Sequence, residues 1–211
     1  MKLTRIDELY LGDHYYLTPQ DECYFLREYT ARHGFDASET NQIIHNIKKT
    51  PDRRGRSEWR YKEQGLKRVA TELKATLNPQ WLRGATLVPI PPHLAKSDPL
   101  YDDRIAQILK LMDDGLGLDI RELVVQRANL DPSHGSASRP KPQELRNNYE
   151  IDESLCTPTP NAIGIVDDML TAGAHFRAMK DMLGDRFPGV GVVGVFFARR
   201  ITAQEDPAEG G

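Results

Sequence analysis

The sequence predicts an α/β protein: a mainly parallel sheet flanked by helices, with an N-terminal accessory, hood-like region. Three observations lead there. From Ala85 onward, short apolar runs alternate with segments of helical periodicity, the order that builds parallel sheets from βαβ units. The run 190–197 (VGVVGVFF) is almost wholly apolar, as a strand covered on both faces must be. The run 162–166 (AIGIV) ends in two aspartates, a small-residue turn and a helical pattern, the form of a strand–loop–helix ligand site.

The 211 residues suit one domain of ordinary size, or one domain with an added piece. The expected division is an accessory region over 1–82, a core over 83–201 and a disordered tail over 202–211. Within the first part, Tyr15-Tyr16-Leu17 and Tyr24-Phe25-Leu26 fit either short strands or helix. Asp36 followed by Glu39 has the spacing of a capping box for a helix burying Ile43, Ile44 and Ile47. A basic, turn-prone run follows at 48–56, then an amphipathic helix carrying Leu66, Val69, Ala70, Leu73 and Leu77. In the core, 85–90 (ATLVPI) is the first strand. Tyr101, Ile105, Ile108, Leu109 and Met112 mark a helix, with Asp98-Pro99 suited to its start. The run 122–126 (ELVVQ) is a second strand. Residues 127–142 lack apolar periodicity and contain three prolines, so they read as a long loop, a length often used for lids. The strand 162–166, a helix with Phe176, Met179 and Leu183, and the strand 190–197 complete the core.

Composition bounds the function. Lys and Arg number 28 and Asp and Glu 31, a formal net charge of -3, so nothing global favours nucleic acid or a membrane surface. Cys23 and Cys156 stand alone, without metal-ligand spacing or a disulfide pattern. The N-terminus is too polar for a signal peptide, and no apolar run reaches membrane-spanning length. A soluble, cytoplasmic protein is expected.

The chemistry concentrates at 166–175 (VDDMLTAGAH). A helix start offers unpaired N–H groups and the positive end of the helix dipole, which suit a phosphate. Thr171 adds a hydroxyl, and Ala172, Gly173 and Ala174 let backbone approach closely. Asp167 and Asp168 would repel phosphate, but they accept hydrogen bonds from ribose hydroxyls. One of them can assist a bound Mg²⁺ or stabilise positive charge developing on the sugar. The alternative is that the two aspartates only cap the next helix.

The segment VDDMLTAGA resembles the motif for 5-phosphoribosyl 1-pyrophosphate (PRPP) in type I phosphoribosyltransferases, in its Thr-Ala-Gly form. Val88-Pro89-Ile90-Pro91-Pro92-His93 is similar to the pyrophosphate loop of amidophosphoribosyltransferases and to the Val-Pro-Val-Pro run of ComF-like proteins. Residues 143–149 (QELRNNY) resemble the cluster that closes the flexible loop in both groups, and 43–48 (IIHNIK) is similar to a helix of ComF-like proteins. In contrast, Ala174 stands where a hydroxyl residue is common, and the zinc cysteines of many ComF-like proteins are absent.

The resemblance implies an enzyme that binds PRPP with Mg²⁺ and transfers the phosphoribosyl group to a nitrogen nucleophile, releasing pyrophosphate. Asp167, Asp168 and Arg146 would be catalytic. Thr171, Ala172, Gly173, Ala174 and His175 would hold the 5′-phosphate, and Pro91, Pro92 and His93 the pyrophosphate. Arg127, His134, Arg139 and Lys141 would lie on or beside a closing loop. Metal would arrive with PRPP, with Asp167 or Asp168 as its nearest protein group. The expected partner is PRPP or a nucleoside monophosphate; a homodimer is open. Alternatives are a non-catalytic PRPP or nucleotide sensor on the same fold, and a nucleic-acid adaptor using the basic run 48–56.

Overall fold

The computed structural model describes residues 1–130 and 140–202. Among these residues eight strands form: β1 (Thr4–Arg5), β2 (Glu22–Ala31), β3 (Thr86–Pro89), β4 (Asp119–Ile120), β5 (Val124–Gln126), β6 (Tyr149–Ile151), β7 (Ala162–Leu170) and β8 (Gly191–Thr202). Six α-helices accompany them: α1 (Glu39–Ile47), α2 (Trp59–Thr76), α3 (Pro79–Gly84), α4 (Arg104–Asp113), α5 (Pro142–Asn148) and α6 (Ala174–Arg186). The main sheet has the order β1-β2-β8-β7-β3-β4, parallel except for the antiparallel edge strand β1. Strands β5 and β6 form a separate antiparallel pair. The mixed α/β architecture with a mainly parallel sheet is as the sequence predicts.

Two apolar layers enclose the sheet, and strand parity assigns residues to them, because successive strand side chains face opposite sides. Ile163, Ile165, Val88 and Phe196 pack with Leu145 of α5 and Phe176, Met179 and Leu183 of α6. Val166, Leu87, Val195 and Phe197 pack on the other side with α1, α2 and α4. The chain leaves β3 through α4 toward β4, and leaves β7 through α6 toward β8 in the opposite direction. The topological switch point therefore lies between β3 and β7, and the crevice beyond their carboxyl ends is where such sheets bind ligands.

Several elements differ from expectation. Strand β2 is ten residues long and pairs with β8 from Glu22↔Val193 to Ala31↔Thr202, so the accessory region supplies a strand of the main sheet. The run 122–126 is not a main-sheet strand; its Val124–Gln126 part pairs with β6, and the two-residue β4 takes the sheet edge. The cap of α1 is Ser38, whose Oγ accepts from the Asn41 N–H at 3.0 Å, and not Asp36. Asp98-Pro99 form a turn ahead of α4, which starts at Arg104. Helix α3, begun by the Asn78 cap and Pro79, has no counterpart in the periodicity reading. Within the expected tail, Thr202 closes β8 and the remaining residues lie outside the described ones.

Candidate functional site

The strand β7 continues through Leu170, beyond Val166, its last partner of β3, and keeps pairing with β8 (Asp167↔Phe196, Met169↔Ala198, Leu170↔Arg199). The acidic pair is therefore strand, not loop. Neighbouring strand residues face opposite layers, so the pair is split. Asp168 points into the α1/α4 layer and is 2% exposed. It accepts from Arg104 Nε at 2.6 Å and meets Lys48 Nζ at 3.2 Å. Arg104 also reaches Asp102 at 3.1 Å, and Asp102 in turn accepts from the buried Lys62 at 2.7 Å. Lys62 additionally donates to the Lys49 carbonyl at 2.6 Å. A buried charge survives only when paired in this way. Burial alone would raise the Asp168 pKa, but the Arg104 and Lys48 cations hold it well below the usual carboxylate range. Asp167 behaves in the opposite manner. Burial and the neighbouring Asp168 charge push its pKa up, and it makes no ion pair among the described residues.

The turn after β7 is tied from outside. His14, fully buried, donates from Nδ1 to the Thr171 carbonyl, and the Tyr16 N–H donates to the Ala172 carbonyl at 3.0 Å. In a trans peptide the C=O and the following N–H point in opposite directions. The N–H groups of Ala172 and Gly173 are thereby turned away from the N-terminal segment, and they find no acceptor among the described residues. Gly173 is the N-cap of α6, at φ 90°, with no side chain capping the helix start. A Cβ there would also meet Leu17 Cδ2 at 2.8 Å, so glycine is required twice over. The free first-turn N–H groups of α6 and its dipole adjoin these amides. Arg177 and Lys180 of α6 both pair with the buried Asp21, which fixes the N-terminal segment against the turn.

His175, in the first turn of α6, contacts the Tyr149 hydroxyl through Nδ1 at 2.6 Å. Tyr149 is 1% exposed, and giving its proton to Nδ1 is the arrangement that satisfies it. That leaves Nε2–H on the imidazole as a donor. Burial and the nearby Lys48 charge lower the His175 pKa to about 4, so the ring is neutral at physiological pH.

These groups surround one pocket of about 210 Å³ at the switch point. Its lining includes Asp167, Asp168, Thr171 and His175, Pro91, Pro92 and His93, and Lys48, Asp102 and Arg104. Ala172, Gly173 and Ala174 connect the lining residues Thr171 and His175 and are themselves buried. The structure brings these three groups of expected residues together. It does not bring the loop cations there: Arg146 pairs with Asp185 of α6, Arg127 pairs with Glu150 at 3.7 Å, and Lys141 is the exposed residue ahead of α5. Arg146 projects from a helix whose buried side carries Leu145, which directs its neighbour elsewhere. His134 and Arg139 lie outside the described residues. The sequence does not display the parts of Lys48 and Arg104, because their partner Asp168 is 120 and 64 residues away along the chain, respectively.

Among the described residues no group of three or more His, Cys, Asp or Glu side chains could hold a metal ion. The donor set fits Mg²⁺ only as a companion of a phosphorylated ligand, with Asp167 as a single protein carboxylate, since Mg²⁺ is commonly held by one or two carboxylates plus substrate phosphates. No described helix is long and apolar enough to cross a membrane.

Fold and site together define an open α/β protein with a turn of unpaired amides and a split acidic pair at its switch point. The chain matches no protein-family model and no curated protein. Among solved structures it is similar to a hypoxanthine phosphoribosyltransferase from Staphylococcus aureus, with 17% identity, coverage of 67% of this chain and 76% of that one, and a TM-score of 0.38. A likeness of that size carries no argument by itself.

Proposed function

We propose that the pocket binds PRPP together with Mg²⁺ and transfers its phosphoribosyl group to a nitrogen nucleophile, with release of pyrophosphate. The observation that carries this reading is the turn 171–173, whose carbonyls are tied outward and whose amides are left for an anion at an uncapped helix start. The amides and His175 Nε2–H hold the 5′-phosphate. Asp167, in no ion pair among the described residues, accepts from the ribose hydroxyls. The nucleophile's nitrogen bonds to the anomeric carbon as the bond from that carbon to the pyrophosphate oxygen breaks, and pyrophosphate departs with the electron pair. Mg²⁺ would neutralise charge on the leaving pyrophosphate. The protein's part is to position the sugar and to favour the charge that develops.

Calorimetric titration with PRPP and Mg²⁺ tests the site. Wild type should bind, and Gly173→Ala should bind at least about tenfold more weakly, because the strained turn misdirects its amides. Absence of binding by wild type, or equal binding by the variant, would sink the proposal.

A specific observation favours a second reading, a non-catalytic PRPP or nucleotide sensor. Pro91 and Pro92 supply no N–H groups, so the segment after β3 offers a leaving pyrophosphate little from its backbone. Pyrophosphate release measured across a panel of bases and amines separates the two. Turnover with any acceptor excludes the sensor; tight binding without turnover supports it.

A further inference from the structure

The Lys62–Asp102–Arg104–Asp168–Lys48 chain holds three cations against two carboxylates. One positive charge is left over, and its location follows from the contacts. Lys62 is buried between Asp102 and the Lys49 carbonyl. Arg104 is held at both ends, by Asp168 and by Asp102, with 19% of its side chain exposed. Lys48 is 35% exposed, has Asp168 alone as its ion partner among the described residues, and makes the longest contact of this chain of ion pairs. Its partner does not need it, because Arg104 already sits on the other oxygen of Asp168. Lys48 is thus the member that can exchange its carboxylate for a ligand. It lines the same pocket as Asp167, Thr171 and His175, and its charge is felt at His175 in the first turn of α6. Pro91 and Pro92, also in the lining, cannot donate from their backbone. An anion lodged against these two prolines must find its donors on other lining groups.

We infer that Lys48, at the end of α1, is the residue that receives the second anionic group of the ligand, the pyrophosphate of PRPP, and so distinguishes PRPP from ribose 5-phosphate. The inference rests on the PRPP reading of the same pocket. It gives the N-terminal region a direct part in ligand choice, with the flexible ammonium of Lys48 in place of backbone amides.

Titration calorimetry with three probes tests it: PRPP with Mg²⁺, inorganic pyrophosphate with Mg²⁺, and ribose 5-phosphate. Loss of one charge-assisted contact corresponds to about tenfold or more in affinity. Lys48→Met should lose that much toward PRPP and pyrophosphate and stay within about twofold of wild type toward ribose 5-phosphate. Lys48→Arg, which keeps the charge, should restore pyrophosphate binding, and its recovery shows that the loss is not misfolding. If wild type binds all three and Lys48→Met holds pyrophosphate as tightly as wild type, the Lys48 assignment is overturned and the ribose site stands. If wild type binds pyrophosphate in a Lys48-dependent manner but ignores ribose 5-phosphate and PRPP, the ribose reading fails while Lys48 remains an anion receptor. Wild type that binds none of the three overturns both.

Discussion

Asp167 and Asp168 are adjacent in sequence and alike in chemistry, yet the pleat gives them different work. Asp168 neutralises the partly buried guanidinium of Arg104, whereas Asp167 lines the pocket with no ion pair among the described residues. Their substitutions should therefore diverge. Asp168→Asn leaves the partly buried Arg104 with Asp102 alone and should cost about 3 kcal/mol in urea unfolding. Asp167→Asn should stay within about 0.5 kcal/mol of wild type while weakening the ribose ligand. Equal losses of stability would mean that the two carboxylates share one environment. The sequence displayed the aspartates, the threonine and the small residues that follow, since these are contiguous. It did not display the division of labour, which depends on whether the strand stops at Val166 or continues to Leu170. Pairing with β8 decides that, and no local property of DDML reveals it.

At the scale of elements, α6 was the most legible, because Phe176, Met179 and Leu183 repeat at helical spacing and Gly173 marks its start. Strand β8 was nearly as clear. The short strand β4 and the pair β5–β6 were not, since two or three residues carry no periodicity. The extended β2 was hidden by its mixed face, ECYFLREYTA, in which Arg27 and Glu28 interrupt the apolar pattern. Arg27 is held by Glu72 of α2 at 2.7 Å, a partner that only the fold supplies. The helix α6 also brings a pH dependence. The His175 pKa is lowered to about 4 in the folded protein, against 6.5 for the free side chain. Above pH 6.5 the ring is neutral in both states and has no effect on stability. As pH falls from 6.5 to about 4, the unfolded chain takes up a proton that the folded one refuses, so this contribution lowers stability through that window. Urea titrations at pH 7 and pH 4.5 should show a smaller pH loss for His175→Gln than for wild type. An unchanged loss would place the titration elsewhere, with His14, whose pKa burial also lowers, as the next group to test.

For the whole molecule, the expected boundary near residue 82 does not separate two structures. Strand β2 covers the flank of β8, and one apolar layer mixes Ile43, Ile47, Leu66 and Leu73 with Leu87, Val166 and Phe197. A chain truncated to residues 83–202 should lack a cooperative thermal transition and near-ultraviolet ellipticity, because an uncovered parallel sheet face cannot remain dry. A sharp melt from that fragment would show that the core stands alone. The outward ties on Thr171 and Ala172 have a consequence of their own. Because His14 and Tyr16 turn the peptide planes when the chain folds, the amides are aimed before any ligand arrives. Under the proposed function, phosphate capture at this turn requires no rearrangement of the main chain, so its rate should be set by encounter and by ionic strength, and the heat-capacity change should be that of desolvation alone.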